Sequence, residues 1–359
     1  MPGGLRSALF NMHDMKKNID SLDGLRAFAC LLVVFGHLAK EEIILDIKGS
    51  GQLGVMLFFV LSGFLMAHLY GGEKLSRSRL VEYTFRRVFR VFPAYLAALS
   101  ISFLLTPYWV DFPYAMDING FIKHLKLQGD TSVFWTIPVE LKFYVFFPML
   151  WLGLGFLPNT VFRSLVIFCL FVAAVNIFPY GERLDLSRYI EFFIGGVCAG
   201  YINVHLVDIH ARLQHIINAV FVVTLVLILV FIPQVFLHLT GMIHPMWQLP
   251  QILAPLFALC VLACANATGW ASAIFSNKLF LFLGKISFSL YLVHYPIIYF
   301  FNHWQPLLSL APSINIAFIQ IPLALTFAVL LAYGFYVVIE SPLRRWGARL
   351  NDLVQKKIA

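Results

Sequence analysis

Arg26 and His37 stand eleven residues apart inside one apolar run. On an α-helix that spacing returns to within about 20° of the same face and separates the two by a rise of about 16 Å. A cation and a titratable imidazole would therefore share one groove, the cation near the inner membrane surface and the imidazole high in the groove. Ionisable side chains are costly within a span, and there they mark functional sites. The same positions also suit an arginine snorkelling to the interface and a histidine hydrogen-bonded in packing. Arg87 and Arg90, in the run Arg86-Arg87-Val88-Phe89-Arg90, fall at i and i+3. Two guanidiniums on one helix face can clamp a phosphate or diphosphate, and they equally suit anchoring at a cytoplasmic surface. Trp135 and Glu140 flank Pro138, a plausible helix start. Ser287, Tyr291 and His294 recur at i, i+4 and i+7, a polar stripe that must face protein or water rather than lipid.

The elements that position these residues follow from composition. Of 359 residues, 60% are hydrophobic and 12% charged, about half the charge a soluble domain needs to cover its surface. The chain reads as an all-α polytopic membrane protein of about ten transmembrane helices, near residues 24–40, 53–71, 88–107, 141–157, 161–179, 189–206, 216–240, 249–267, 286–303 and 314–339. With the N-terminus inside and the helices alternating, nineteen of the 26 Lys and Arg residues fall on the cytoplasmic side. That asymmetry places both termini in the cytoplasm. The net charge of +8 therefore reads as a topology signal, with no nucleic acid as partner. Inside, the loop at 72–87 is basic; outside, the segment at 108–140 carries Trp109, Phe112, Tyr114, Phe134 and Trp135. A basic inner loop suits an anionic cytosolic ligand and an aromatic outer loop suits sugar stacking, although both are also common as membrane anchors. The five cysteines, Cys30, Cys169, Cys198, Cys260 and Cys264, lie in apolar stretches without a CxxC, which argues against disulfides and metal ligation. No cleavable signal peptide is visible.

In order along the chain stand Ile19-Asp20-Ser21-Leu22-Asp23-Gly24-Leu25-Arg26-Ala27 and Phe35-Gly36-His37, giving Arg-x10-His. Gly54-Val55, Phe58-Phe59-Val60-Leu61-Ser62-Gly63-Phe64, Arg87-x-x-Arg90 and Trp135-x4-Glu140 follow. Ile286-Ser287-Phe288-Ser289-Leu290-Tyr291-Leu292-Val293-His294 and Ile339-Glu340-Ser341-Pro342-Leu343 close the set. In this order and spacing the chain resembles the membrane acyltransferase-3 family, bacterial enzymes that acylate cell-surface and secreted glycans. Phe288 stands where relatives often have Tyr, and it is assigned no role. The resemblance implies a ten-helix domain over 19–345, between a cytoplasmic segment at 1–18 and a basic cytoplasmic tail at 346–359. Many relatives carry an appended extracytoplasmic domain. This chain looks like the stand-alone class that modifies lipopolysaccharide O-antigen, capsule, exopolysaccharide or Nod-factor-type glycans.

The implied function is O-acyl transfer from acetyl-CoA to a glycan or lipid-linked glycan acceptor, in the bacterial cytoplasmic (inner) membrane and without a metal. Arg87 and Arg90, with Arg26, would bind the phosphates of the acyl-CoA at the inner mouth. The pantetheine arm would thread the groove towards His37. His37 would act as general base, its ordinary pKa suiting that task, or would carry the acyl group transiently. Glu140 would orient an imidazole or a sugar hydroxyl. Trp135, Ser287, Tyr291 and His294 would bind acceptor or steady the oxyanion. Transfer of succinyl or another acyl group is the nearest alternative. A glycan or lipid transporter also lines its path with polar stripes, and a non-catalytic partner in polysaccharide export would be expected to have lost part of this residue set.

Overall fold

The computed structural model describes residues 3–41, 47–157, 159–177, 181–205, 210–242, 250–303 and 317–358, and no strand occurs among them. Its helices are α1 (Gly3–Lys40), α2 (Ser50–Tyr70), α3 (Arg77–Leu105), α4 (Ile118–Leu125), α5 (Thr136–Gly155), α6 (Thr160–Ile177) and α7 (Ile190–His205). They continue with α8 (His210–Val230), α9 (Pro233–Thr240), α10 (Pro250–Asn266), α11 (Gly269–Ala273), α12 (Lys278–His303), α13 (Ala317–Phe335) and α14 (Ser341–Ile358). Eight helical stretches are long and apolar enough to cross a bilayer, and two further apolar helices, Ile190–Val204 and Pro250–Asn266, are shorter.

The packing is that of a protein whose solvent is lipid. α6 and α8 leave Val161, Phe162, Leu165, Phe168, Val172, Val223 and Val226 exposed, side chains that water would penalise and acyl chains accept. α2 is instead enclosed, and it packs most extensively against α7. Small residues allow that contact: a Cβ on Gly63 would collide with the Phe193 carbonyl, and one on Gly196 with that of Val60. Without a hydrophobic drive between helices in lipid, such close backbone approach supplies the association. α1 lies against α2 and α12.

Local chemistry sets the ends, and in places it departs from the spans expected above. Ser76 caps α3, its Oγ accepting from the Arg79 N–H at 3.3 Å. The stretch expected at 216–240 divides into α8 and α9, because Pro233 cannot continue α8 and instead opens the next helix. α12 begins at Lys278 rather than near 286. After α13, a π-helical turn over 336–340 leads into α14. The segment expected as a tail is thus mostly helix, and it packs along α3: Gln355 Nε2 donates to the Ser78 carbonyl at 2.8 Å, and Trp346 meets Phe89 edge-on. At the other end, the backbone of α1 is already helical from Gly3.

The segment between α3 and α5 folds back on the bundle. Asp117 caps α4 by accepting from the Gly120 N–H at 2.7 Å. Phe112, Tyr114 and Phe134 are buried here. The rings expected to be available for sugar stacking are largely spent on packing: Phe134 meets Tyr95 of α3, and Tyr114 meets Tyr295 of α12.

Candidate active site

Five helices line a cavity. α1 contributes Arg26, α3 contributes Arg90, α5 contributes Thr136 and Glu140, and α12 contributes Ser287 and Tyr291. α2 supplies the apolar wall, with Val55, Phe58, Phe59, Ser62 and Leu65 repeating at helical spacing on one face.

Its charge is predominantly positive. Arg26 donates to Asp23, one turn earlier on the same helix, and lies within electrostatic range of Arg90, Arg87 and Arg344. Among the described residues Arg90 has no carboxylate within 4 Å. A guanidinium facing a cavity inside an apolar bundle is a strong site for an anion. Glu140 is held from two sides: the Tyr144 hydroxyl, one turn later on α5, donates to its Oε1, and Ser62 Oγ donates to the same oxygen at 3.3 Å.

Arg87 is placed differently. It is buried and does not line the cavity; its guanidinium lies 5.9 Å from the ring centres of both Tyr70 and Tyr144. Its Nε has no hydrogen-bond partner. Trp135 also stands apart from the cavity, among Phe59, Tyr189 and the Arg183 guanidinium, the last 5.2 Å from its ring centre.

His37 and His294 form a second centre. His294 Nε2 is 3.2 Å from His37 Nδ1, and the rings meet edge-on with centroids 4.9 Å apart. Neither residue lines the cavity, but Tyr291 links the two centres: it forms part of the cavity wall, and its ring centroid lies 6.1 Å from that of His294. Tyr291 is fixed there because its hydroxyl donates to the Val133 carbonyl at 2.8 Å and accepts from Thr136 Oγ1 at 3.0 Å. Ser287 Oγ spends its proton on the Gly284 carbonyl at 2.8 Å, leaving acceptor lone pairs. Beyond the histidines, Tyr295 packs on the His37 ring at 4.5 Å between centroids and donates to Glu41 Oε1 at 3.0 Å. Lys40 Nζ donates to the same tyrosine oxygen at 2.9 Å.

The residues singled out in the sequence thus divide. Arg26, Arg90, Glu140, Ser287 and Tyr291 meet at the cavity, His37 and His294 meet beside it, and Arg87 and Trp135 lie elsewhere. Glu140 has serine and tyrosine partners rather than an imidazole. Ser62, Thr136 and Tyr144 hold the site in place, though the sequence motifs gave none of them a role. Only the Glu140–Tyr144 spacing of one helical turn could have signalled any of these. Glu340, also without a role in the motif reading, is buried at the π-helical turn, accepts from Ser289 Oγ at 2.6 Å and pairs with Arg344 at 3.3 Å.

Comparison with known proteins gives a consistent set. The family model described as an acyltransferase domain, acyltransferase 3, matches residues 19–337. "Putative O-acetyltransferase SACOL0978" of Staphylococcus aureus strain COL is 24% identical over 95% of this chain and 59% of its own length. "O-acetyltransferase OatA" of Staphylococcus aureus strain NCTC 8325 is 26% identical over 94% of this chain and 59% of its own length. The chain therefore spans about three-fifths of the length of these curated relatives. No solved structure matches it.

Proposed function

Because the chain belongs to the acyltransferase-3 family, we propose that it moves an acetyl group from cytosolic acetyl-CoA to a hydroxyl of a cell-surface or secreted glycan, such as lipopolysaccharide O-antigen. The observation that carries this reading is the cavity with Arg26 and Arg90 on its wall, adjoining through Tyr291 a pair of histidines. The names of the O-acetyltransferase relatives support acetyl as the group transferred.

In this reading the protein lies in the bacterial cytoplasmic (inner) membrane. The eight long spans and two shorter ones together make ten crossings, with both termini in the cytoplasm. Arg90 and Arg26 hold the donor's phosphates, and Arg87 sets the charge around them from its place between Tyr70 and Tyr144. The thioester lies towards Tyr291 and His37. The acceptor hydroxyl gives its proton to His37 as its oxygen bonds to the acetyl carbonyl carbon. The carbon–sulfur bond breaks, and the departing thiolate takes the proton back from His37. Glu140, fixed by Ser62 and Tyr144, orients the acceptor or the donor amides by accepting hydrogen bonds.

The test is transfer by the purified full chain in lipid nanodiscs, supplied with labelled acetyl-CoA and a bacterial surface glycan. Label is expected in base-labile ester linkage to the glycan. Glycan movement across vesicles without ester formation would instead identify a transporter.

A further inference from the structure

His294 is fully buried, and both of its ring nitrogens are engaged by protein. Its Nδ1 lies 3.0 Å from the Leu290 carbonyl and 2.9 Å from the Tyr291 carbonyl. Carbonyl oxygens only accept, so Nδ1 carries the proton. In a neutral ring Nε2 then carries the lone pair. That lone pair faces His37 Nδ1 at 3.2 Å, which must therefore be the donor. The Val33 carbonyl, 3.0 Å from the same His37 nitrogen, can likewise only accept, and requires the same assignment. One proton on His37 Nδ1 satisfies both neighbours, and His37 Nε2 is left as the basic nitrogen.

We infer that His294 is a positioning residue that fixes the His37 tautomer and ring orientation through this chain of hydrogen bonds, and does not itself touch the acceptor. The inference rests on the reading of His37 as general base. When His37 Nε2 takes the acceptor's proton, the ring becomes an imidazolium whose Nδ1–H is already directed at a fixed lone pair. His294 cannot turn away, because its own N–H is held by two carbonyls one helical turn back on α12. The proton stays on His37 until the thiolate removes it, so no net charge passes through His294. This differs from the substrate-binding role suggested by its place in the polar stripe: a ring with no exposed surface and no free nitrogen has nothing to offer a sugar. A carboxylate orients a catalytic histidine in hydrolase triads; here the orienting acceptor is a neutral imidazole, which avoids leaving a charge within the bundle.

The test uses the full chain in nanodiscs. His294→Gln retains an acceptor oxygen for the His37 N–H, whereas His294→Ala removes it. The Ala variant is expected to lose about ten- to a hundred-fold in kcat, the worth of a hydrogen bond to a charged group. KM for acetyl-CoA and for glycan should stay unchanged, and the Gln variant should recover most of the loss. In a His37→Ala background, His294→Ala should cost nothing further. A raised glycan KM with kcat preserved, or an independent loss in the His37→Ala background, would overturn the inference. Side-chain 15N spectra give a readout that needs no activity. His37 is expected as the pure Nδ1–H tautomer in the wild type and as a mixture in His294→Ala; an unchanged tautomer would defeat the positioning role. Full activity in His37→Ala would instead remove the general-base reading, and the spectra would still judge the positioning.

Discussion

Arg87 and Arg90 stand one turn apart on α3, yet only Arg90 faces the cavity. Residues at i and i+3 diverge by about 60° around a helix, enough for one guanidinium to meet the cavity and the other two tyrosine rings. The residue types and their spacing were legible in the sequence; the division between them depends on which neighbour fills each side of α3. Arg90→Ala is expected to raise KM for acetyl-CoA about ten- to a hundred-fold, the usual cost of losing a charge-assisted hydrogen bond. Arg87→Ala is expected to act mainly on the fold, by emptying the space between Tyr70 and Tyr144, and to lower the thermal unfolding midpoint in detergent more than Arg90→Ala does. Initial rates against acetyl-CoA, set beside unfolding curves for both variants, check this. Equal effects on KM would place both arginines on the donor. The partners of Glu140 were harder to read, since Ser62 sits among apolar residues of α2 and only tertiary packing brings it across to α5.

At the scale of elements, the apolar periodicity located most helices, and breakers such as Pro233 explain where an expected helix divides. α12 starts before the expected boundary near 286 and runs through Gly284. In the fold that glycine lets α12 approach α1, since a Cβ there would strike the Asp23 carbonyl. The segment between α3 and α5 was read as an aromatic loop, and its inward packing could not be seen without the bundle it covers. His124 ties this segment down. It is buried on α4, its Nδ1 lies 2.8 Å from the Tyr95 hydroxyl, and its Nε2 has no partner. Burial lowers its pKa from the ordinary 6.5 to about 4, partly opposed by Asp130. A histidine kept neutral in this way contributes stability that is complete above its unfolded pKa, and that fades as pH falls from about 6.5 towards 4. Amide hydrogen exchange over residues 106–135 is therefore expected to speed up across that window, after correction for the intrinsic pH dependence of exchange. A His124→Phe variant, which cannot charge, should show a flatter response. Equal acceleration in both would exclude His124 as the cause.

For the whole molecule, composition alone made the membrane class legible, and the order of the motifs made the family legible. The number of crossings was less so, because α7 and α10 are shorter than a full span and depend on neighbouring helices. The proposed sidedness rests on the Lys and Arg distribution. Single cysteines at Ser76 and Asn119, in a background without the five native cysteines, should respond oppositely to an impermeant thiol reagent on intact spheroplasts. Position 119 is expected to label and position 76 to stay protected; the reverse would turn Arg26 and Arg90 away from cytosolic acetyl-CoA.

The most direct test of acetyl transfer through His37 is mass spectrometry of surface glycan from three strains: one expressing the wild-type protein, one lacking the gene, and one expressing His37→Ala at equal membrane abundance. Acetyl esters are expected on the glycan of the first strain alone. Acetylation at the wild-type level in the strain lacking the gene would contradict the proposed function, and the same level in His37→Ala would remove His37 from the chemistry.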